Sequence, residues 1–296
     1  MRQYLIALIF STAVFTTSNA QNAVPQLKPN SILKIQPSKT DSRIKEADTP
    51  HLILYNQEMN QGNLLVFLPG TGGIAEKGPE ELFYLAVQQG YHVINLSYIN
   101  TPAIAQICNG KELTDNSNCA EDFRMNRIYG TTPFDAVTDK PHDAIVNRLT
   151  KLLTYLVKND KGGNWDKYLI NNSPNWEQIA VAGQSQGGGM AAFIAKDHKV
   201  ARVIDFSGGW DFSAKGKIAT WYFKKSVTSP TLYYGTYHAQ EPQARTILES
   251  YKAMNIPSTQ IYALDLEVPD GKKAHSDGVR NTQYLSIWKE LLGNGN

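Results

Sequence analysis

Short apolar runs and stretches of helical period alternate along most of this chain. Runs at 51–55, 63–68, 91–97, 179–182, 201–206, 231–235 and 260–266 have the length and the β-branched or aromatic content of strands. Between most of them the apolar spacing changes to that of a helix. The clearest case puts Ile145, Leu149, Leu152, Leu153 and Leu156 on one face, after Pro141 and with Asp143 in the first turn. Similar stretches cover 80–89, 186–196, 243–254 and 277–292. Strand and helix in alternation predict an α/β fold, with a mostly parallel central sheet covered by helices on both faces.

Two segments break the rhythm. Residues 21–50, rich in Pro, Gln, Lys, Ser and Asp, read as an exposed lead-in with at most an edge strand near 32–35. Residues 100–140 hold both cysteines and several charges without a sustained period. An insertion this long in a compact domain is usually functional or disordered. Following the strand at 91–97, it falls at the carboxyl edge of the sheet, where ligands of open α/β sheets bind. It reads as a partial cover over a cleft or, equally, as a surface insertion braced by a disulfide. It is too polar for the amphipathic lid of a lipase.

The chain starts Met-Arg-Gln, runs through apolar residues 4–15, and reaches Ser18-Asn19-Ala20 before Gln21. A basic start, a short apolar core and small residues are expected of a signal peptide over 1–20, with an uncleaved anchor as the rival reading. A single domain over 51–296 is expected to follow the lead-in, and to be secreted or periplasmic with no transmembrane segment in the mature chain. A net charge of +2 with interspersed signs gives no reason to expect nucleic acid or a charged membrane as partner. Export would put Cys108 and Cys119 in an oxidising compartment, so a local disulfide is expected, worth about 3 kcal/mol for so short a loop. Metal binding is not expected, because two thiols without a nearby His lack a ligand set, and no two His share helical spacing with a carboxylate.

The chemistry is concentrated at 178–195. A buried strand there leads into Gly183-Gln184-Ser185-Gln186-Gly187 and then into a helix of small residues. G-x-S-x-G between strand and helix makes a sharp turn that lifts a serine hydroxyl above the sheet edge, and its glycines avoid collisions. Helix amides then point back at a reacting carbonyl. Upstream, the strand at 64–68 enters Pro69-Gly70-Thr71-Gly72-Gly73. That loop is not a phosphate cradle, since Ile74-Ala75-Glu76 supplies no Lys-Ser or Lys-Thr. With these motifs the chain resembles the α/β-hydrolase superfamily, and within it secreted bacterial esterase-like or lipase-like members.

The resemblance implies a serine hydrolase with Ser185 as nucleophile. The backbone amides of Thr71 and Gln186 would form the oxyanion hole, with Gly72 in reserve. The superfamily order of nucleophile, acid and histidine points to His275, in the segment between the last strand and the last helix. His51, His92, His142 and His198 read as structural or surface residues. For the acid, the commonest offset after the strand at 231–235 falls on His238, a departure from the pattern, leaving Glu241 or, after the preceding strand, Asp211. Trp210, Phe212, Trp221, Tyr222, Tyr233 and Tyr234 could line a pocket for an acyl chain or aromatic ester. The expected activity is cleavage of a small-molecule or lipid-like ester through an acyl-enzyme, with no cofactor. A serine peptidase or acyltransferase on the same triad, and a non-catalytic binding module, are the other readings.

Overall fold

The computed structural model describes residues 28–59, 62–131, 134–137, 139–268 and 273–295. The segment read as a signal peptide lies outside them. Eight strands form the main sheet: β1 (Ser31–Ile35), β2 (His51–Tyr55), β3 (Leu64–Leu68), β4 (His92–Asn95), β5 (Ile179–Gln184), β6 (Arg202–Phe206), β7 (Tyr233–His238) and β8 (Ile261–Leu264). Their spatial order is β1-β2-β4-β3-β5-β6-β7-β8. β2 runs antiparallel to both neighbours, and every other pairing from β4 to β8 is parallel. The edge strand expected near 32–35 is β1. Pro37 and Ile44, further along the segment read as an exposed lead-in, are buried.

Alternation within the strands divides the core in two. In β3, Leu64, Val66 and Leu68 enter one apolar cluster while Leu65 and Phe67 enter the other. This is the period of two expected of a strand buried on both faces. Helices α1 (Glu80–Gln88) and α6 (Leu285–Leu292) cover one face. Helices α2 (Cys119–Tyr129), α3 (Ile145–Asn159), α4 (Gln186–Asp197) and α5 (Ala244–Ala253) cover the other. Leu149, Leu152, Leu153 and Leu156 of α3 are fully buried, each worth about 1.5–3 kcal/mol of transfer free energy.

Three elements depart from the sequence reading. β7 starts at Tyr233, after a 3-10 turn over Pro230–Leu232, and runs on to His238. The last helix is broken into Ala274–Asp277, a 3-10 turn over Thr282–Tyr284, and α6. The insertion contains α2, whose apolar period is hidden because two of its buried positions are arginines. Arg124 pairs with Asp211 at 2.6 Å and Arg127 with Asp139 at 2.8 Å, all four side chains almost wholly buried. Cys108 and Cys119 form a disulfide at the base of α2. No helix among the described residues is long and apolar enough to cross a membrane.

Candidate active site

In-register pairing brings the ends of β3, β5, β6 and β7 to one edge. Leu68 stands beside Gly183, Gln184 beside Phe206, and Phe206 beside Thr236. The segments leaving this edge carry Thr71, Ser185, Ser207, Asp211 and Glu241. The segment after β8 carries His275.

Ser185 sits between β5 and α4 with φ 58° and ψ −123°, a conformation that costs a non-glycine residue about 1–3 kcal/mol. Surrounding contacts enforce it. The Ser185 amide donates to the Phe206 carbonyl at 2.8 Å, and the Ser185 carbonyl accepts from Gly189 at 3.2 Å. A Cβ on Gly183 would come within 2.3 Å of the Gly187 backbone, and one on Gly187 within 2.0 Å of the Leu68 carbonyl oxygen. Both glycines therefore allow strand, turn and helix to meet this closely.

The two glutamines flanking Ser185 brace the site. Gln184 Nε2 donates to the His275 carbonyl at 3.1 Å, fixing the backbone of the histidine against the elbow. Gln186 reaches into the insertion, its Oε1 accepting from the Ile104 amide at 2.8 Å and its Nε2 donating to the Asn100 carbonyl at 2.9 Å. In the glycine-rich loop, Gly72 already donates its amide to Asn100 Oδ1 at 3.2 Å. Thr71 instead lines the cavity with Ser185 and Gln186. Of the two loop residues considered from the sequence, only Thr71 lines this cavity. Tyr98 anchors the loop by donating its hydroxyl to the Pro69 carbonyl at 2.7 Å, and burial pushes its pKa up to about 12.

Of the two candidate acids, the one in contact with the histidine is Glu241. His275 Nδ1 donates to Glu241 Oε2 at 2.6 Å, and the Glu241 side chain is fully buried. Glu241 Oε1 accepts from Ser207 Oγ at 2.9 Å and from the His238 amide at 2.7 Å. Ser207 is itself held at φ 53°. Asp211 is fully engaged elsewhere. Its carboxylate takes both Nε (2.6 Å) and Nη2 (2.8 Å) of Arg124 and the indole N–H of Trp221 (2.9 Å). His275 lies in the short helix Ala274–Asp277 rather than in open loop, with Trp210 edge-on to its ring at 5.0 Å.

The other histidines have structural surroundings. His51 Nδ1 accepts from the Ser97 amide at 2.9 Å, and His92 Nδ1 bonds the Tyr168 hydroxyl at 2.7 Å. Burial lowers the pKa of each to about 3, so both stay neutral. His198 stacks on Trp176, and His142 lies 3.6 Å from Asp143. His238, at the end of β7, bonds the Leu266 carbonyl through Nε2 at 3.0 Å. Asp205, beneath the elbow, accepts from the Gly208 amide at 2.8 Å, and burial raises its pKa to about 7. The expected aromatic pocket is corrected. Of the six aromatics only Trp210 lines the cavity beside Ser185, while Trp221, Tyr222 and Tyr233 are buried in the core. Sequence reasoning missed Ser207, Arg124 and Gln184 as site residues, and it named Gln186 for its amide but not for its side chain. Only the glutamines carried a signal, their place inside the elbow motif.

Strand order, the antiparallel β2 and the placement of the elbow after β5 define an α/β-hydrolase fold. No protein-family model matches the sequence, and no curated protein is significantly similar to it. Among solved structures, a hyperthermophilic esterase from the archaeon Pyrobaculum calidifontis is similar at 10% identity and TM-score 0.47, over 90% of this chain and 86% of that one. An arylesterase is similar at 12% identity and TM-score 0.48, over 93% and 89%. The acylaminoacyl peptidase of Pyrococcus horikoshii is similar at 13% identity and TM-score 0.46, over 90% of this chain but only 41% of the peptidase. Likeness at this level adds nothing to the fold assignment, which rests on the strand order.

Proposed function

We propose that this protein is an exported serine hydrolase of carboxylic esters. The observation that carries the reading is the buried Glu241 bonded to His275 at the same sheet edge as Ser185. Export rests on the N-terminal pattern and accords with the disulfide.

In the proposed reaction His275 takes the proton of Ser185 Oγ, which attacks the ester carbonyl. The amides of Thr71 and Gln186 hold the oxyanion. The bond from carbonyl carbon to alcohol oxygen breaks, and His275 delivers the proton to the departing alcohol. Water, deprotonated by His275, then adds to the acyl-enzyme and releases the acid and Ser185. Glu241 keeps Nδ1–H in place, so that Nε2 is the basic nitrogen, and stabilises the imidazolium.

The test is labelling by a fluorophosphonate, mapped by peptide mass, together with p-nitrophenyl ester hydrolysis. Labelling at Ser185, and a loss of turnover on the order of a millionfold in Ser185→Ala, are expected. Retained hydrolysis in that variant would overturn the nucleophile assignment. A folded but unreactive protein would point to a binding role.

A further inference from the structure

The cavity beside Ser185 is small, and its walls are tied down. It measures about 30 Å³ and is lined by Thr71, Ile104, Arg124, Ser185, Gln186 and Trp210 among others. At about 10–15 Å³ for each water-sized group, it holds two such groups. The wall formed by Ile104, Gln186, Arg124 and Asp211 is braced by contacts already described. The Ile104 amide is bonded to Gln186, Arg124 is locked to Asp211, and Trp221 holds Asp211 from behind. The Cys108–Cys119 disulfide joins the segment bearing Ile104 to the start of α2, which bears Arg124. Widening the cavity on that side would mean breaking a buried ion pair or moving a disulfide-linked segment, and close-packed interiors resist such changes.

Position relative to His275 decides which half of an ester enters. The leaving alcohol must take its proton from the imidazole, so it lies on the His275 side of Ser185. Trp210 both lines the cavity and packs against the His275 ring, so the indole marks the histidine side of the cavity. The cavity is then on the acyl side, next to the residues proposed to hold the oxyanion.

We propose that this cavity is the acyl pocket, that it restricts the enzyme to acetyl and propionyl esters, and that Ile104 is the residue setting the limit. The proposal rests on the serine-hydrolase reading. It replaces the aromatic acyl-chain pocket expected from the sequence with a short, partly polar one.

The experiment is a chain-length series with a constant leaving group, p-nitrophenyl acetate, butyrate and octanoate, on the wild-type protein and on Ile104→Ala, with Ser185→Ala as control. In the wild type, kcat/KM should fall by at least about 100-fold from acetate to octanoate, since excluding even one methylene from a fitted pocket costs about 10–200-fold. Ile104→Ala should narrow that ratio at least about tenfold by raising the butyrate and octanoate rates. A flat or rising wild-type series that depends on Ser185 would overturn the pocket while leaving the hydrolase reading intact. Turnover that survives Ser185→Ala, or no turnover of any ester, would overturn both. The wild-type series decides the question even where Ile104→Ala fails to fold.

Discussion

Glu241 and His275 are 34 positions apart, yet they are joined by a 2.6 Å hydrogen bond with the carboxylate fully buried beneath the half-exposed imidazole. Asp211, the other acid considered, makes a bidentate pair with Arg124. The two carboxylates should therefore fail in different ways. Glu241→Gln is expected to lower kcat by about 10³–10⁴-fold with little change in folding, because its amide oxygen can still accept from Ser207 and the His238 amide. Asp211→Asn should instead cost about 3–5 kcal/mol of stability, because it leaves the buried Arg124 charge uncompensated. Ester kinetics and urea denaturation of both variants check this, and a catalytic collapse in Asp211→Asn without a loss of stability would reverse the assignment.

Ser207 acts one step further back, as a positioning residue. Its hydroxyl is one of two donors on Glu241 Oε1. Without it the carboxylate is less stabilised on its own and holds the imidazolium more tightly. The acidic limb of kcat/KM in Ser207→Ala should therefore move to higher pH by about half a pH unit. Ser207→Gly should show the same displacement yet be more stable than the alanine variant by about 1 kcal/mol, because glycine accepts φ 53° freely. Profiles that match the wild type in both variants would reduce Ser207 to a backbone role.

The disulfide closes a loop with a sequence separation of 11. Replacing both cysteines by serine should lower unfolding free energy by about 3 kcal/mol, as read from denaturant midpoints. A change below about 0.5 kcal/mol would mean that the packing of α2 already holds the segment.

Stability should rise from pH 4 to about 6.5 and level off above it. Burial holds His51 and His92 down to about 3, so below the ordinary histidine pKa of about 6.5 the unfolded chain binds protons that the folded one refuses. Acidification from there destabilises. Burial raises Asp205 to about 7, which gives the opposite sign: its contribution is full below an ordinary Asp pKa of about 4 and is lost as pH rises through about 7. Between about 4 and 6.5, two histidines outweigh one aspartate, and each proton is worth about 1.4 kcal/mol per pH unit. Urea unfolding from pH 4 to 9 measures the curve. Asp205→Asn should steepen the rise between pH 4 and 6.5 by about 1.4 kcal/mol per pH unit, and an unchanged slope would show that Asp205 does not stay protonated in the folded protein.

Local pattern was enough for the elements and the elbow. The apolar runs of β2, β3 and β5, the leucine stripe of α3 and the glycines around Ser185 each act over a few residues, where backbone sterics and periodicity leave few alternatives. His275 is pointed to by its place in the chain order of the superfamily that the sequence resembles. The choice between Glu241 and Asp211 could not be made locally, because both are loop carboxylates, each following a strand. It depended on where β7 ends and on which cation arrives from α2, that is, on side chains brought from 34 and 87 positions away. α2 was obscured for the same reason. Arg124 and Arg127 read as surface charges until Asp211 and Asp139 neutralise them in the interior. Short-range sterics and hydrophobic period thus determined most of the strands and helices and the turn at Ser185. Which charges are buried, which acid meets the histidine and how much room is left beside the serine were decided by pairings that exist only once the chain has packed.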